Sequence, residues 1–279
     1  MNLPNLIIGG APKCGTSSLY FWLAKHPEVF ASRTKEPFFF FDKINRFNKN
    51  CNCIEHNINA YSNYFKDKKD EKISFEATAA YLYSNNAITG FSSFKNPPKI
   101  IFIFREPSAQ IYSHYKMERY RTKRTNLDLE EYVNLPKINM YVDYATHLNK
   151  WQKKYPNQLI KILIFEDLIR NKRKILQEIA KFLQIDDGFY KDFNFEHRNE
   201  SVVIRSSAMH RIGTKLQPFI PHKLQSKLLP LYLKWNSKGS VSCSNREKEI
   251  LNKLKEEYSY VKDELRKINH DLPLYLWNQ

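Results

Sequence analysis

A chain of 279 residues, 42% hydrophobic and 27% charged, is long enough to bury a sizeable core and falls outside the disordered and collagen-like classes. Forty-five lysines and arginines against 29 acidic residues leave a net charge of +16, which predicts an acidic partner: nucleic acid, an anionic membrane surface, a polyanionic glycan or a small ligand with several phosphates. Cys14, Cys51, Cys53 and Cys243 show neither zinc-knuckle spacing nor a disulfide framework, so no metal site is expected.

No basic-plus-apolar leader precedes the first apolar run, and no run approaches the ~20 apolar residues that a membrane span needs. The expectation is a cytoplasmic protein without a transmembrane segment. The first predicted element is a buried strand at Leu6–Gly10. A helix follows over Ser17–His26, with Leu19, Trp22 and Leu23 on one face and Pro27 as its stop.

Between them, "GGAPKCGTSS" at 9–18 carries three of the seven glycines of the chain, a lone lysine and three hydroxyls. A helix N-terminus presents unpaired N–H groups and a partial positive charge, so a strand–glycine loop–helix junction binds anions readily. Gly10 and Gly15 let the backbone approach a ligand, Thr16, Ser17 and Ser18 can cap the helix or donate to anionic oxygens, and Lys13 adds a point charge. A nucleoside triphosphate loop would place its Lys directly after the last Gly and pair it with Ser or Thr. Here Lys13 precedes Gly15 by two residues, which weighs against ATP or GTP. Cys14 has no base beside it and reads as a small packed side chain rather than a nucleophile.

Further strands are expected at Ile73–Phe75, Lys99–Phe104 and Leu159–Phe165, and helices at Pro107–Tyr120 and Lys172–Leu183, the last with Ile175, Leu176, Ile179 and Leu183 on one face. In "IIFIFREPSAQIYSHY" at 100–115, a strand ends at Arg105 and Ser113 lies two turns into the next helix, so both could surround one anionic group. Strands alternating with helices predict an α/β fold, a parallel sheet covered on both faces, with ligands at the carboxyl ends of the strands. One domain over 1–279 is expected, with 196–245 as a lid or flank and a charged amphipathic helix over Asn245–Ile268. The basic runs "KMERYRTKR" (116–124) and "RNKRK" (170–174) read either as solvated faces or as steering for an acidic ligand.

Taken together, "PKCGTSSL" at 12–19 and "REPSAQIYSHY" at 105–115 resemble the sulfotransferase family, which uses 3′-phosphoadenosine 5′-phosphosulfate (PAPS). The resemblance continues through "HPEVFASRTKEPFFF", "FEATAAYLY", "ILIFEDLIRNKRKILQEIAKFLQI" and "LKEEYSYVKDELRKI" to the closing "LYLW". It looks most like the carbohydrate and heparan-type branch and its bacterial relatives. It implies a P-loop-like three-layer α/β/α fold with about five parallel strands. It also implies that Lys13, Cys14, Gly15, Thr16, Ser17 and Ser18 hold the 5′-phosphosulfate, that Arg105 and Ser113 hold the 3′-phosphate, and that no metal is needed. Arg198, Arg205 and Arg211 fall where relatives close a loop over the nucleotide, with Arg205 favoured.

By the same resemblance Glu36, in "TKEPFFFF", is the general base, its pKa raised by the aromatic run beside it, and Lys13 stabilises the transferring group and the leaving phosphate. His114 is the rival base; His26 and His56 lack supporting context. Two positions depart from the family. Ala77 stands where heparan-type enzymes carry a Lys, removing a cation near the acceptor, and Gln110 stands where relatives often carry an Arg, which would loosen cofactor or surface contacts. The implied acceptor is a hydroxyl on a glycan, polysaccharide or glycolipid, with an amine also possible, and no nucleic-acid partner is expected. The competing readings are a P-loop small-molecule kinase, which needs ATP and magnesium, and a non-catalytic polyanion binder.

Overall fold

The computed structural model describes residues 1–42, 57–195, 203–216, 231–233, 235–239 and 241–278, with Ile220, Leu224 and Leu228. Cys51, Cys53, His56 and Arg198 lie outside the described residues. Strands Leu6–Gly10 (β1), Val29–Ala31 (β2), Ile73–Ala77 (β3), Lys99–Phe104 (β4) and Ile160–Ile164 (β5) form one sheet in the order β2-β3-β1-β4-β5, with every pair parallel. β1 and β3 are buried along their whole length, at the centre of a sheet covered on both faces, β1 as an apolar run and β3 with Ser74 and Glu76 buried among its apolar residues. Ile8 sits in register between Ala77 and Ile101, so β1, β3 and β4 end along one edge.

The helices between the strands are Thr16–Leu23 (α1), Ile58–Ser62 (α2), Asn85–Ser92 (α3), Pro107–Lys116 (α4), Leu129–Val133 (α5), Lys137–Val142 (α6) and Tyr144–Gln152 (α7), and Phe165–Arg170 (α8) and Lys172–Leu183 (α9) follow β5. α9 buries the four predicted apolar positions. Much of the aromatic content fills the core, where Phe40, Tyr61, Phe65, Phe75, Phe91, Phe102, Phe104 and Trp151 are fully buried.

The four predicted strands form within two residues of their expected limits, whereas β2 is too short to register as an apolar run. α1 ends at Leu23, before the expected His26. The His26 ring is buried instead: Nδ1 accepts from the Glu28 N–H at 3.1 Å and Nε2 donates to the Asp186 carbonyl at 2.8 Å. α4 gives way after Lys116 to a π-helical turn, Met117–Arg121. The single C-terminal helix expected over 245–268 is two, Asn245–Glu257 and Tyr260–Ile268. At the break Tyr258 turns inward and its hydroxyl donates to Asn139 Oδ1 at 2.6 Å, a tertiary contact outweighing helical continuity.

In the region expected as a lid or flank, Val203–Ile204 (β6) pairs antiparallel with Ser237–Lys238 (β7), and a helix, Ser207–Leu216 (α10), follows β6. Among the described residues no helix is long and apolar enough to cross a membrane.

Candidate active site

The loop at 11–15 leaves the carboxyl end of β1 and folds over the end of β4: the Ala11 N–H donates to the Ile103 carbonyl at 2.8 Å and the Cys14 N–H to the Ala11 carbonyl at 3.3 Å. Gly15 caps α1 with φ +89°, where a Cβ would meet the Phe165 ring at 2.8 Å, so the position is held for glycine by both torsion and space. The N-cap, Gly15, has no side chain to offer the first amides of α1. The amides at the start of α4 are occupied, because the Glu106 carboxylate accepts from the Ser108 and Ala109 N–H groups at 3.0 and 2.8 Å. Of the helices that follow β1 and β4, α1 therefore offers its N-terminus to an outside anion and α4 does not.

Lys13 adopts the left-handed region, φ 68°, and is half-buried. Burial first, then the charges of Arg121 and Arg105, push its ammonium down to about 8, while Glu36 pulls the other way. Arg105 lies over the same loop. Its Nη1 donates to the Lys13 carbonyl at 3.2 Å, its guanidinium stacks 4.5 Å from the centre of the Phe165 ring, and its Nε is buried without a partner. The Trp277 indole N–H donates to Glu166 Oε2 at 2.9 Å and the Glu106 N–H to Glu166 Oε1 at 3.1 Å, so the closing "LYLW" ties the end of the chain to the turn that carries Arg105. Ala109, Ser113 and Lys116 form the half-open stripe of an otherwise buried α4. At ~1.5 Å per helical residue this places Ser113 about 9 Å along α4 from Pro107.

The Cys14 thiol is fully buried, 3.5 Å from the Pro12 carbonyl and 4.0 Å from the Tyr144 hydroxyl, and burial raises its pKa to about 12. It is a neutral packed group, as expected of its surroundings in sequence. Gln110 fastens rather than loosens the loop. Its Nε2 donates to the Pro12 carbonyl at 2.9 Å, and its Oε1 lies 2.8 Å from the Tyr144 hydroxyl, which also reaches the Arg105 carbonyl at 3.0 Å. Thr16 is buried, and Ser17 and Ser18 are half-buried on the first turn of α1.

Glu36 also has a left-handed backbone, φ 56°. Non-glycine residues held there carry strain of about 1–3 kcal/mol, and such strain gathers at functional sites. The conformation is fixed by the Glu36 N–H donating to the Ala77 carbonyl at 2.9 Å, so position 77 contributes its backbone where heparan-type relatives carry a Lys. Glu36 Oε1 accepts from Lys35 Nζ at 3.2 Å.

A second carboxylate, Glu76, lies fully buried next in chain to Ala77. Tyr61 and Tyr81 donate to its Oε1 at 2.7 and 2.9 Å, Thr78 donates to its Oε2 at 2.5 Å, and burial raises its pKa to about 7, with Glu36 adding to the rise. His114, the rival base, is buried and engaged: its Nδ1 lies 2.7 Å from the Tyr132 hydroxyl, and burial lowers its pKa to about 4.

The loop, Lys13, Arg105 and Glu36 thus converge at the edge where β1, β3 and β4 end. Arg205 is exposed at the end of β6, its N–H donating to the Asn236 carbonyl at 3.0 Å, and β6 packs on the π-helical turn that carries Arg121. Sequence reasoning missed Arg121 as a member of the site, because within a lysine-rich run a solvated cation looks the same. Glu76 was visible only as an acidic residue at the end of a predicted strand.

A parallel α/β sheet whose first strand feeds a glycine loop and a glycine-capped helix defines a P-loop-like class of protein. Within that class, the sulfotransferase domain profile matches residues 3–227, and the chain belongs to the sulfotransferase family. It is 25% identical over 199 residues to human (Homo sapiens) bifunctional heparan sulfate N-deacetylase/N-sulfotransferase 3, covering 66% of this chain and 22% of that one. It is also 25% identical over 247 residues to human carbohydrate sulfotransferase 15, covering 66% of this chain and 44% of the other. The chain thus spans about a fifth of the first relative and under half of the second. In fold it is similar to a sulfotransferase from Alicyclobacillus acidocaldarius, with a TM-score of 0.68 and 19% identity over the whole of both chains.

Proposed function

We propose that this protein moves a sulfuryl group from PAPS to an acceptor hydroxyl or amine on a carbohydrate. The observation that carries the reading is the anion-hungry loop: the glycine-capped N-terminus of α1 beside Lys13, on which the charges of Arg121 and Arg105 act more strongly than that of Glu36, and Arg105 with a buried, unpartnered Nε. These residues fit a nucleotide with two separated anionic groups, one at the loop and α1 and the other between Arg105 and the Ser113 side of α4. PAPS supplies the sulfuryl group and a phosphate leaving group.

The work of the chain is to neutralise charge and to move one proton. Lys13 and the amides of α1 stabilise negative charge that develops at the loop, by electrostatics rather than proton transfer. Glu36, on its strained turn across from Lys13, takes the acceptor proton. Arg205 is proposed to close over the nucleotide from the β6 side. The carbohydrate acceptor is supported by the similarity to a heparan sulfate N-sulfotransferase and a carbohydrate sulfotransferase.

The test is a pair of calorimetric titrations without magnesium, one with adenosine 3′,5′-bisphosphate and one with ATP, against wild type and Lys13→Ala. The bisphosphate is expected to bind more tightly than ATP and to lose affinity in the variant. Glu36→Gln should keep bisphosphate affinity while transfer to a carbohydrate acceptor falls by about 10²–10⁴. Equal binding of both nucleotides, or of neither, sinks the proposal.

A further inference from the structure

Seven of the twelve large apolar side chains exposed among the described residues fall between 209 and 235. α10 is inverted relative to an ordinary surface helix. His210 and Thr214 face the protein half-buried, while Met209, Ile212 and Leu216 face outward, Ile212 at 60% exposure. At ~100° per residue these three form a stripe about 60° wide, with Arg211 and Lys215 beside it. Further along, Leu224, Leu228, Leu231 and Trp235 recur at helical spacing and are all exposed, Leu231 at 57% and Trp235 at 77%.

The two stretches belong to one hairpin. β6 pairs with β7, His210 Nδ1 lies 2.8 Å from the Tyr232 hydroxyl, and the buried Asn236 accepts from the Ser206 N–H at 2.7 Å. Among the described residues of 206–236, His210, Tyr232 and Asn236 spend polar groups on internal bonds while Met209, Ile212, Leu216, Leu231 and Trp235 turn out. The charge is as one-sided as the hydrophobicity: residues 201–246 contain eight lysines and arginines and no aspartate or glutamate.

From this combination we propose that α10 and the exposed residues Leu231 and Trp235 form a docking surface for an anionic lipid bilayer. Leucine, isoleucine and tryptophan beside lysine and arginine suit the headgroup boundary, where apolar side chains leave water and cations meet anionic lipid. A soluble polyanion would engage the cations and leave the apolar stripe in water. A second copy would bring together two segments that are both rich in lysine and arginine and hold no carboxylate. The surface adjoins the active-site edge, since His210 lies against Thr122, Lys123 and Arg124, just past the Arg121 that influences Lys13. Docking is independent of which nucleotide the loop takes, so this proposal and the sulfuryl-transfer reading can fail separately.

Trp235 makes the test direct, because Trp22, Trp151 and Trp277 are buried and Trp235 alone reports the surface. The full chain is mixed with vesicles of phosphatidylcholine alone or with phosphatidylglycerol added, and followed by co-sedimentation, tryptophan emission and quenching by brominated acyl chains. Anionic vesicles should bind the protein, shift its emission to the blue and quench it, and Trp235→Phe should abolish the optical change.

Ile212→Ser with Leu216→Ser should weaken partition by about tenfold or more, with bisphosphate affinity and unfolding temperature unchanged. Arg211→Glu with Lys215→Glu should weaken it by about twentyfold or more, each cation contributing roughly fivefold. No binding to anionic vesicles overturns the proposal, as does binding that leaves Trp235 emission unmoved. Heparin binding insensitive to the Ile212 and Leu216 changes, without vesicle binding, would assign the face to a soluble polyanion. Dimers that the same changes dissolve, again without vesicle binding, would assign it to a second copy. Either result also overturns the proposal.

Discussion

Lys13 offers the sharpest test of how the site works. Its ammonium titrates near 8 because it is half-buried beside Arg121 and Arg105. A bound bisphosphate reverses that balance by placing negative charge on the same spot, so the liganded protein holds the proton more tightly than the free one. Affinity should then fall as pH rises from 7 through about 8, since above it each binding event must take up a proton.

Between pH 7 and pH 9 the protonated fraction of free Lys13 drops from about nine-tenths to about one-tenth, a loss of about tenfold in affinity. The ligand phosphates contribute little, because their second ionisation, near pH ~6, is largely complete by pH 7. The assay is calorimetric titration of adenosine 3′,5′-bisphosphate across this range in two buffers of different ionisation enthalpy, which counts the proton directly. Lys13→Arg keeps the cation and removes the titration, so its affinity should stay level. A wild-type affinity independent of pH, or an equal fall in Lys13→Arg, would refute the reasoning.

Gly15→Ala places a Cβ at φ +89° against the Phe165 ring, and at about 1–3 kcal/mol for such strain the unfolding temperature should drop by several degrees, with bisphosphate binding lost. Glu76 gains its proton more readily folded than unfolded, so the native state holds the extra proton between pH 4.5 and about 7 and stability falls as pH rises through that window. Glu76→Gln should flatten this part of the profile, and thermal melts across it that superimpose in slope on wild type would contradict the assignment. Tyr144→Phe withdraws the hydroxyl that joins Gln110 to the Arg105 carbonyl, at about 1–3 kcal/mol for buried groups left unpaired. Denaturant unfolding measures this cost, and an unchanged midpoint would mean the contact carries no weight.

The sequence by itself determined four of the five strands and the loop, because these are written in short-range pattern. A buried parallel strand is an uninterrupted apolar run, a glycine at a strand–helix junction marks a close backbone approach, and Lys13 and Arg105 stand at the ends of the runs β1 and β4. What only the tertiary structure decided depends on groups far apart in the chain. It set Glu36 against the carbonyl of Ala77 on β3, sent Gln110 to the Pro12 carbonyl, and brought Trp277 back to Glu166. It also broke the last helix at Tyr258 and turned the apolar side of α10 outward. In each case the local pattern allowed several outcomes of similar energy, and a hydrogen bond or a burial across tens of residues selected one of them.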